Sequence, residues 1–371
     1  LRIPHGIDGT ADAPIRMIAA SDAESRPVLD FKGLTAGIIH GGDYWYFAGF
    51  DVTRAANGQK GFQVSGHYNV LERIDTYYNG NTGIQISRYA GSDPVSDWPS
   101  HNLILNCSSW GNADAGYEDA DGFAAKLTCG EGNVFDGCVA HHNADDGYDL
   151  YAKLETGPIG KVVIRNSVAY ANGILEDGTI GGNGNGFKLG GSNIPGGHEL
   201  INSYAFFNRS KGIDSNSCPD VVVENCVSYN NLRYNVALYT NVEQDTAYRA
   251  NGVISFKDET ISSGDPSEGD EFKPKGAQDM AAFQNDSCYY WDGASCTNAS
   301  GEQITADAFV SLEFKGVERH EDGSIDLQGF LQLVENGPAD AGVPAGSGTP
   351  SQAPTLPENE EHTLPDNWTY L

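Results

Sequence analysis

Cys138-Val139-Ala140-His141-His142-Asn143 has near-copies along the chain. They are Ile74-Asp75-Thr76-Tyr77-Tyr78-Asn79, Cys107-Ser108-Ser109-Trp110-Gly111-Asn112, Ser167-Val168-Ala169-Tyr170-Ala171-Asn172, Ser203-Tyr204-Ala205-Phe206-Phe207-Asn208 and Cys226-Val227-Ser228-Tyr229-Asn230-Asn231. Asn57 ends a weaker earlier copy. Aligned on the last asparagine, the copies have a small residue three positions back: Thr76, Ser109, Ala140, Ala169, Ala205, Ser228. Two back is a ring: Tyr77, Trp110, His141, Tyr170, Phe206, Tyr229. Eight back is an apolar residue: Leu71, Ile104, Phe135, Ile164, Leu200, Val223.

The spacing varies from 22 residues (Asn57 to Asn79) to 36 (Asn172 to Asn208). An α-solenoid would keep a helical period, and none is visible. Short β-like runs, turn residues and loops of variable length predict an all-β chain coiled as a single-stranded parallel β-helix, a solenoid. Its rungs would stack at about 4.8 Å, the ordinary strand spacing. The asparagines then form a ladder, each amide bonding to its neighbours and to the turn backbone, and asparagine tolerates a left-handed turn.

Strand-like runs also occur earlier, as in Ile15-Arg16-Met17-Ile18 and Val28-Leu29-Asp30-Phe31, so any N-terminal cap is expected upstream of Leu1. Residues 257–280 are charged and Gly/Pro-rich and predict a long loop. Phe309-Val310-Ser311-Leu312 and Phe330-Leu331-Gln332-Leu333 are expected to cap the last rung. One domain is expected over 1–336, with 337–371, rich in Pro, Gly, Ser and Glu, as a tail or linker.

The 371 residues include 22 Lys+Arg and 51 Asp+Glu, a net charge of −29. Such a surface repels nucleic acid and anionic membranes, so neither is an expected partner. An acidic polymer would be repelled too, unless a cation or a local basic patch bridges the two. No apolar run is long enough to span a bilayer as a helix. Seven cysteines leave at least one thiol unpaired in a monomer. Cys288 and Cys296, close together in a loop-like stretch, are candidates for a local disulfide, which would favour an oxidising compartment.

Four residues after most ladder asparagines comes a glycine that opens another strand: Gly61, Gly83, Gly147, Gly212. After Asn112 and Asn172 a loop intervenes, and Gly122 and Gly186 take that place. The residues before these glycines read Thr82, Asp121, Asp146, Asn185, Lys211, and those two after read Gln85, Ala124, Asp149, Lys188, Asp214. Asp121 and Asp146 become vertical neighbours, as do Asp149 and Lys188. Matching Lys126-Leu127 with Lys153-Leu154 gives a second register. Either one keeps Asp121 and Asp145/Asp146 on adjacent rungs. Carboxylates so placed share protons or bind a cation. An all-oxygen site suits Ca²⁺, whereas Zn²⁺ would take His or Cys. His141 falls in the ring column and is expected to pack there. A solvated acidic turn is the alternative reading. Lys188, flanked by glycines, has an amine open to a ligand, and a neutral lysine is a competent base.

Ala120 to Thr128, Asn143 to Asp149 and Asn185-Gly186-Phe187-Lys188-Leu189-Gly190-Gly191 resemble the signature segments of polysaccharide lyase family 9. That resemblance implies a right-handed parallel β-helix. It also implies Ca²⁺ bound by Asp121, Asp145, Asp146 and Asp149, and Lys188 as base. The reaction implied is β-elimination in α-1,4-linked galacturonan (pectate), giving 4,5-unsaturated ends, by a secreted, monomeric enzyme. Only about one lysine in two thousand is neutral at pH 7, so an alkaline optimum is expected. Lys126, Lys153, Arg209 and Lys211 are candidates for binding substrate carboxylates, with ion pairs to the acidic surface as the alternative for each. Rival readings are a rhamnogalacturonan-type lyase, a polygalacturonase-like hydrolase and a non-catalytic glycan-binding β-helix. The hydrolase needs no Lys188, and the Gly-His-Gly segment expected of it is absent.

Overall fold

The computed structural model describes residues 1–20, 24–258, 268–335, 337–338 and 341–343. Among these, three parallel sheets of 10, 9 and 9 strands run the length of a coil, each strand pairing with the equivalent strand one turn on. One turn contributes Phe123–Ala125 to the first sheet, Asn133–Asp136 to the second and Val139–His141 to the third. The strands hold two to four residues because the chain must bend three times per rung. One bend, between the second and third sheets, is a single left-handed residue: Asn106, Gly137, Asn166, Asn202 or Asn225. Asparagine and glycine are the residues that adopt this conformation at least cost.

The asparagine ladder lies at the next bend. Asn79, Asn112, Asn143, Asn172, Asn208 and Asn231 each pass an amide hydrogen to the side-chain oxygen of the next, ending at Asn235, with bonds of 2.8–3.0 Å. Two details differ from the sequence reading. The left-handed residue is the one before the ladder asparagine, as at Tyr78, Gly111, His142, Ala171 and Phe207. Asn57 is exposed and outside the ladder; the backbone amide of Ala55 meets Asn79 Oδ1 at 3.0 Å instead.

The ladder explains the glycine column. A Cβ on Gly122 would lie 2.8 Å from Asn143 Nδ2, and one on Gly147 would lie 2.7 Å from Asn172 Nδ2. Each ladder amide presses on the glycine of the preceding rung. A second, shorter ladder joins Asn69, Asn102 and Asn133. The ring column stacks on the outer face of the third sheet, with Trp110, His141 and Tyr170 nearly parallel at 5.6 and 4.7 Å. Inside the coil Phe123, Tyr148 and Phe187 stack at 5.1 and 4.8 Å.

The C-terminal segment does not cap the last rung. Phe309 and Phe330 pack beside Phe206, Tyr229 and Phe256 on the third sheet. Between Phe309 and Phe330 the chain runs back along the coil until Arg319 reaches Gly137 O and Cys107 O. The stacked rings expose an apolar stripe, and this segment covers it. Within the expected loop at 257–280, Glu271–Lys273 is a strand that ends the first sheet, while 259–267 lie outside the described residues. The tail expected at 337–371 also lies outside them, apart from 337–338 and 341–343, where Ala341 is buried. All seven cysteines are buried free thiols. Cys288 faces the inside of the coil and Cys296 the core beneath the C-terminal segment, so the two point into different clusters and form no disulfide.

Candidate active site

The outward column of the first sheet carries the site. Gln63, Gln85, Ala124, Asp149, Lys188 and Asp214 are partners in consecutive strands. The register through Gly122 holds, since Gly122 N donates to Asp146 O at 3.0 Å and Phe123 pairs with Tyr148. Leu127 N bonds to Tyr151 O, so the register matching Lys126-Leu127 with Lys153-Leu154 is not adopted. Inward residues of the same strands, Phe123, Tyr148 and Phe187, fill the coil and fix the backbone from which the charged residues project.

Asp121, Asp146 and Asp149 each place an oxygen within 4.8 Å of the others, and all are buried. Asp121 Oδ2 accepts from Thr82 Oγ1 at 3.1 Å and Asp121 Oδ1 from Asp146 N at 3.3 Å. Asp146 Oδ1 accepts from the backbone and side-chain nitrogens of Asn185 at 2.8 and 2.9 Å. Asp146 Oδ2 stands 3.0 Å from Lys188 Nζ, yet receives no well-directed hydrogen bond. Asp145 stands beside the trio rather than in it. Its Oδ1 accepts from Asn183 N and Nδ2 at 2.5 and 3.1 Å, while Oδ2 accepts no hydrogen bond from the described residues.

Two ammonium groups enter the cluster. Lys188 Nζ is 3.0 Å from Asp146 and 3.5 Å from Asp149, above the Tyr151 ring at 5.5 Å. Lys126 Nζ bridges Asp121 at 2.5 Å and Asp149 at 2.8 Å. With all four carboxylates ionised, the two ammoniums leave a charge of −2, which one divalent cation neutralises. Burial, then neighbouring Asp146 and Asp121, push the Asp145 carboxyl up to about 9. Burial raises Asp121 to about 7, with Asp149 and Asp146 adding to it against Lys126. Burial works against the charge on Asp149 as well, but Lys126 and Lys188 outweigh it and hold this carboxyl below the usual range. Burial likewise opposes the Lys188 charge, and Asp146, Asp149, Asp145 and Asp121 overcome it and hold the amine well above its usual value. An acidic oxygen set with surplus negative charge and an undirected Asp146 Oδ2 fits a hard cation such as Ca²⁺.

Of the cations expected to meet substrate, three have other partners. Lys126 lies inside the cluster. Arg209 Nη1 donates to Gly181 O and Gly182 O at 2.9 and 2.5 Å, pinning the loop that carries Asn183. Lys211 Nζ meets Asp214 at 2.9 Å and Tyr239 OH at 3.1 Å. Of the four, only the Lys153 side chain has no hydrogen-bond or ion-pair partner among the described residues, and it lines a cavity with Lys60 and Arg88. The sequence reading passed over Thr82, Asn183 and Asn185, which orient the carboxylates. Thr82 and Asn185 precede column glycines, and that position was their signal.

A family model described as "Pel9A-like, right handed beta helix region" matches residues 2–251. Pectate lyase L of Thermoclostridium stercorarium is 43% identical over 304 residues, 82% of this chain. The chain spans only 23% of that relative's length. Pectate lyase L of Paenibacillus polymyxa (strain SC2) is 40% identical over 95% of this chain and 74% of its own. The crystal structure of pectate lyase Pel9A superposes with a TM-score of 0.71 at 32% identity, covering 91% of this chain and 76% of that one.

Proposed function

From its place in polysaccharide lyase family 9, the family to which this right-handed β-helix belongs, we propose that the chain is a calcium-dependent pectate lyase that cleaves α-1,4-galacturonan by β-elimination. The observation that carries the reading is Lys188 in register with Asp149 and 3.0 Å from Asp146, in the outward column of one sheet. A hydrolase needs paired carboxyls and no such amine.

The metal ligands in this reading are Asp121, Asp145, Asp146 and Asp149, and the base is Lys188. Calcium bound there supplies a positive charge that neutralises the substrate carboxylate and acidifies the adjacent C5–H. Lys188 Nζ accepts the C5 proton. The C5–H electron pair becomes the C4=C5 double bond, and the C4–O pair leaves with the departing chain's oxygen, which takes a proton from solvent. Asn185 and Asn183 fix Asp146 and Asp145, and the Tyr151 ring bounds the space around Nζ. The carboxylates hold Lys188 protonated, so turnover is expected to rise toward alkaline pH.

The test is polygalacturonate with calcium and with excess chelator. Ultraviolet absorbance of the unsaturated product should rise with calcium, stop with chelator and return when calcium is restored. New reducing ends without that absorbance would make the enzyme a hydrolase. Full activity in chelator would remove the calcium role. We also place the enzyme outside the cell, acting as a monomer. No helix among the described residues is long and apolar enough to cross a membrane. Activity in culture medium and sedimentation velocity check these two points.

A further inference from the structure

Two strands toward the N-terminal end of the coil from Asp149, the same sheet borders a cavity of about 240 Å³. Strand spacing puts it about 10 Å from Asp149. Lys60, Arg88 and Lys153 line it, and no acidic residue does. None of these three side chains has an ion-pair or hydrogen-bond partner among the described residues. In a chain with 51 acidic and 22 basic residues, three unpaired cations around one cavity are a local surplus of positive charge. Burial lowers the Lys60 ammonium, and Lys126 adds to this against Asp119 and Asp121. A half-buried ammonium of this kind gains from an anionic partner.

The floor of the cavity adds a second observation. Gln85 is 5% exposed and its Oε1 has no hydrogen-bond partner, while its Nε2 donates to Ser87 Oγ at 3.2 Å. A buried acceptor left bare costs free energy until a donor arrives. Cations for a carboxylate beside an acceptor for a hydroxyl are the complement of a sugar acid. Between Gln85 and Asp149 the outward column holds only the small Ala124, and the Lys126 side chain from the end of the same strand reaches past it to Asp121 and Asp149.

We propose that this cavity is a distal subsite for an anionic sugar, seating the carboxylate of a uronate residue farther along the polymer than the one that reacts. Arg88 offers a planar fork for the carboxylate, Lys60 and Lys153 add charge, and Gln85 Oε1 takes a sugar hydroxyl. The proposal rests on the lyase reading for the identity of the polymer.

The test uses Arg88→Gln, Lys153→Gln, their combination and the conservative Arg88→Lys. On long polygalacturonate, Arg88→Gln should raise KM about ten- to hundredfold, the size of a lost charge-assisted hydrogen bond, with kcat within about twofold. Arg88→Lys should recover part of that. On a substrate too short to reach from Lys188 to Arg88, variants and wild type should agree. An unchanged KM on the polymer overturns the subsite, as does an equal rise on the short substrate or a fall confined to kcat. If the wild type makes no unsaturated product, the lyase reading fails separately. Equilibrium binding of polygalacturonate then decides the subsite: weaker binding by Arg88→Gln upholds it and equal binding overturns it.

Discussion

Asn143→Ala tests whether the ladder holds the coil together or merely decorates it. Asn143 is fully buried. Its Nδ2 donates to Ser109 O at 3.1 Å and to Asn172 Oδ1 at 3.0 Å, and its Oδ1 accepts from Asn112 Nδ2 at 2.9 Å and, more weakly, from Asn112 N at 3.4 Å. Alanine removes all four bonds. Asn112 Nδ2 keeps Ser109 Oγ at 3.0 Å, so that donor is not stranded. Three good bonds at about 1 kcal/mol each, plus buried groups left without a partner, give a loss of roughly 3–5 kcal/mol. No backbone strain is added, because the left-handed residue is His142 and not Asn143. The control is Asn202→Gly. The Asn202 amide makes one bond of 3.4 Å at a left-handed bend, so that change should cost less than about 0.5 kcal/mol. Urea unfolding of the calcium-free protein, followed by circular dichroism and by tryptophan fluorescence, reads both differences. Coincident transitions establish the all-or-none behaviour the calculation assumes. A loss below about 1 kcal/mol for Asn143→Ala would refute the argument, and sheet hydrogen bonds and core packing would then carry the coil alone.

Lys188→Ala should lower turnover by a factor of about 10²–10⁴, the usual contribution of a general base, while calorimetry shows calcium binding retained. Near-normal turnover would remove Lys188 from the chemistry. Asp121 at about 7 and Asp145 at about 9 are both raised above their ordinary 3.8. A raised carboxyl contributes stability below its unfolded value and loses it as pH climbs through the folded one. The calcium-free protein should therefore lose Tm between about pH 4 and about pH 9, with calcium flattening that slope; a flat curve in chelator contradicts the burial of these carboxyls. Without reductant, all seven thiols should react with a thiol reagent after unfolding and none readily before it. Five reactive thiols would mean that one disulfide exists.

The coil was legible because its constraints repeat. Aligning the copies on one asparagine brought the small, ring and apolar columns into the registers that the strands adopt, as in Ile104 with Phe135 and Trp110 with His141. The same alignment holds the second ladder. Asn69, Asn102 and Asn133 each sit ten residues before a ladder asparagine, and Val162 breaks the series in the next copy. What escaped the sequence depends on which way a side chain turns. Cys288 and Cys296 are near in sequence but serve two cores, and the aromatic residues after 308 could cover an end or a flank. At the site, strand pairing set Asp149 beside Lys188, and that much follows from counting residues. Lys126 does not follow, because it lies beyond the end of its strand and a long flexible stem decides where its charge goes. Its bridge from Asp121 to Asp149 changes the charge balance of the cluster: with Lys126 outside, four carboxylates and one lysine would leave −3, and with it inside they leave −2. A single divalent ion then brings the cluster to neutrality. Removing the Lys126 charge should accordingly leave a metal-loaded site that is still anionic and a calcium-free site that resists ionisation more strongly.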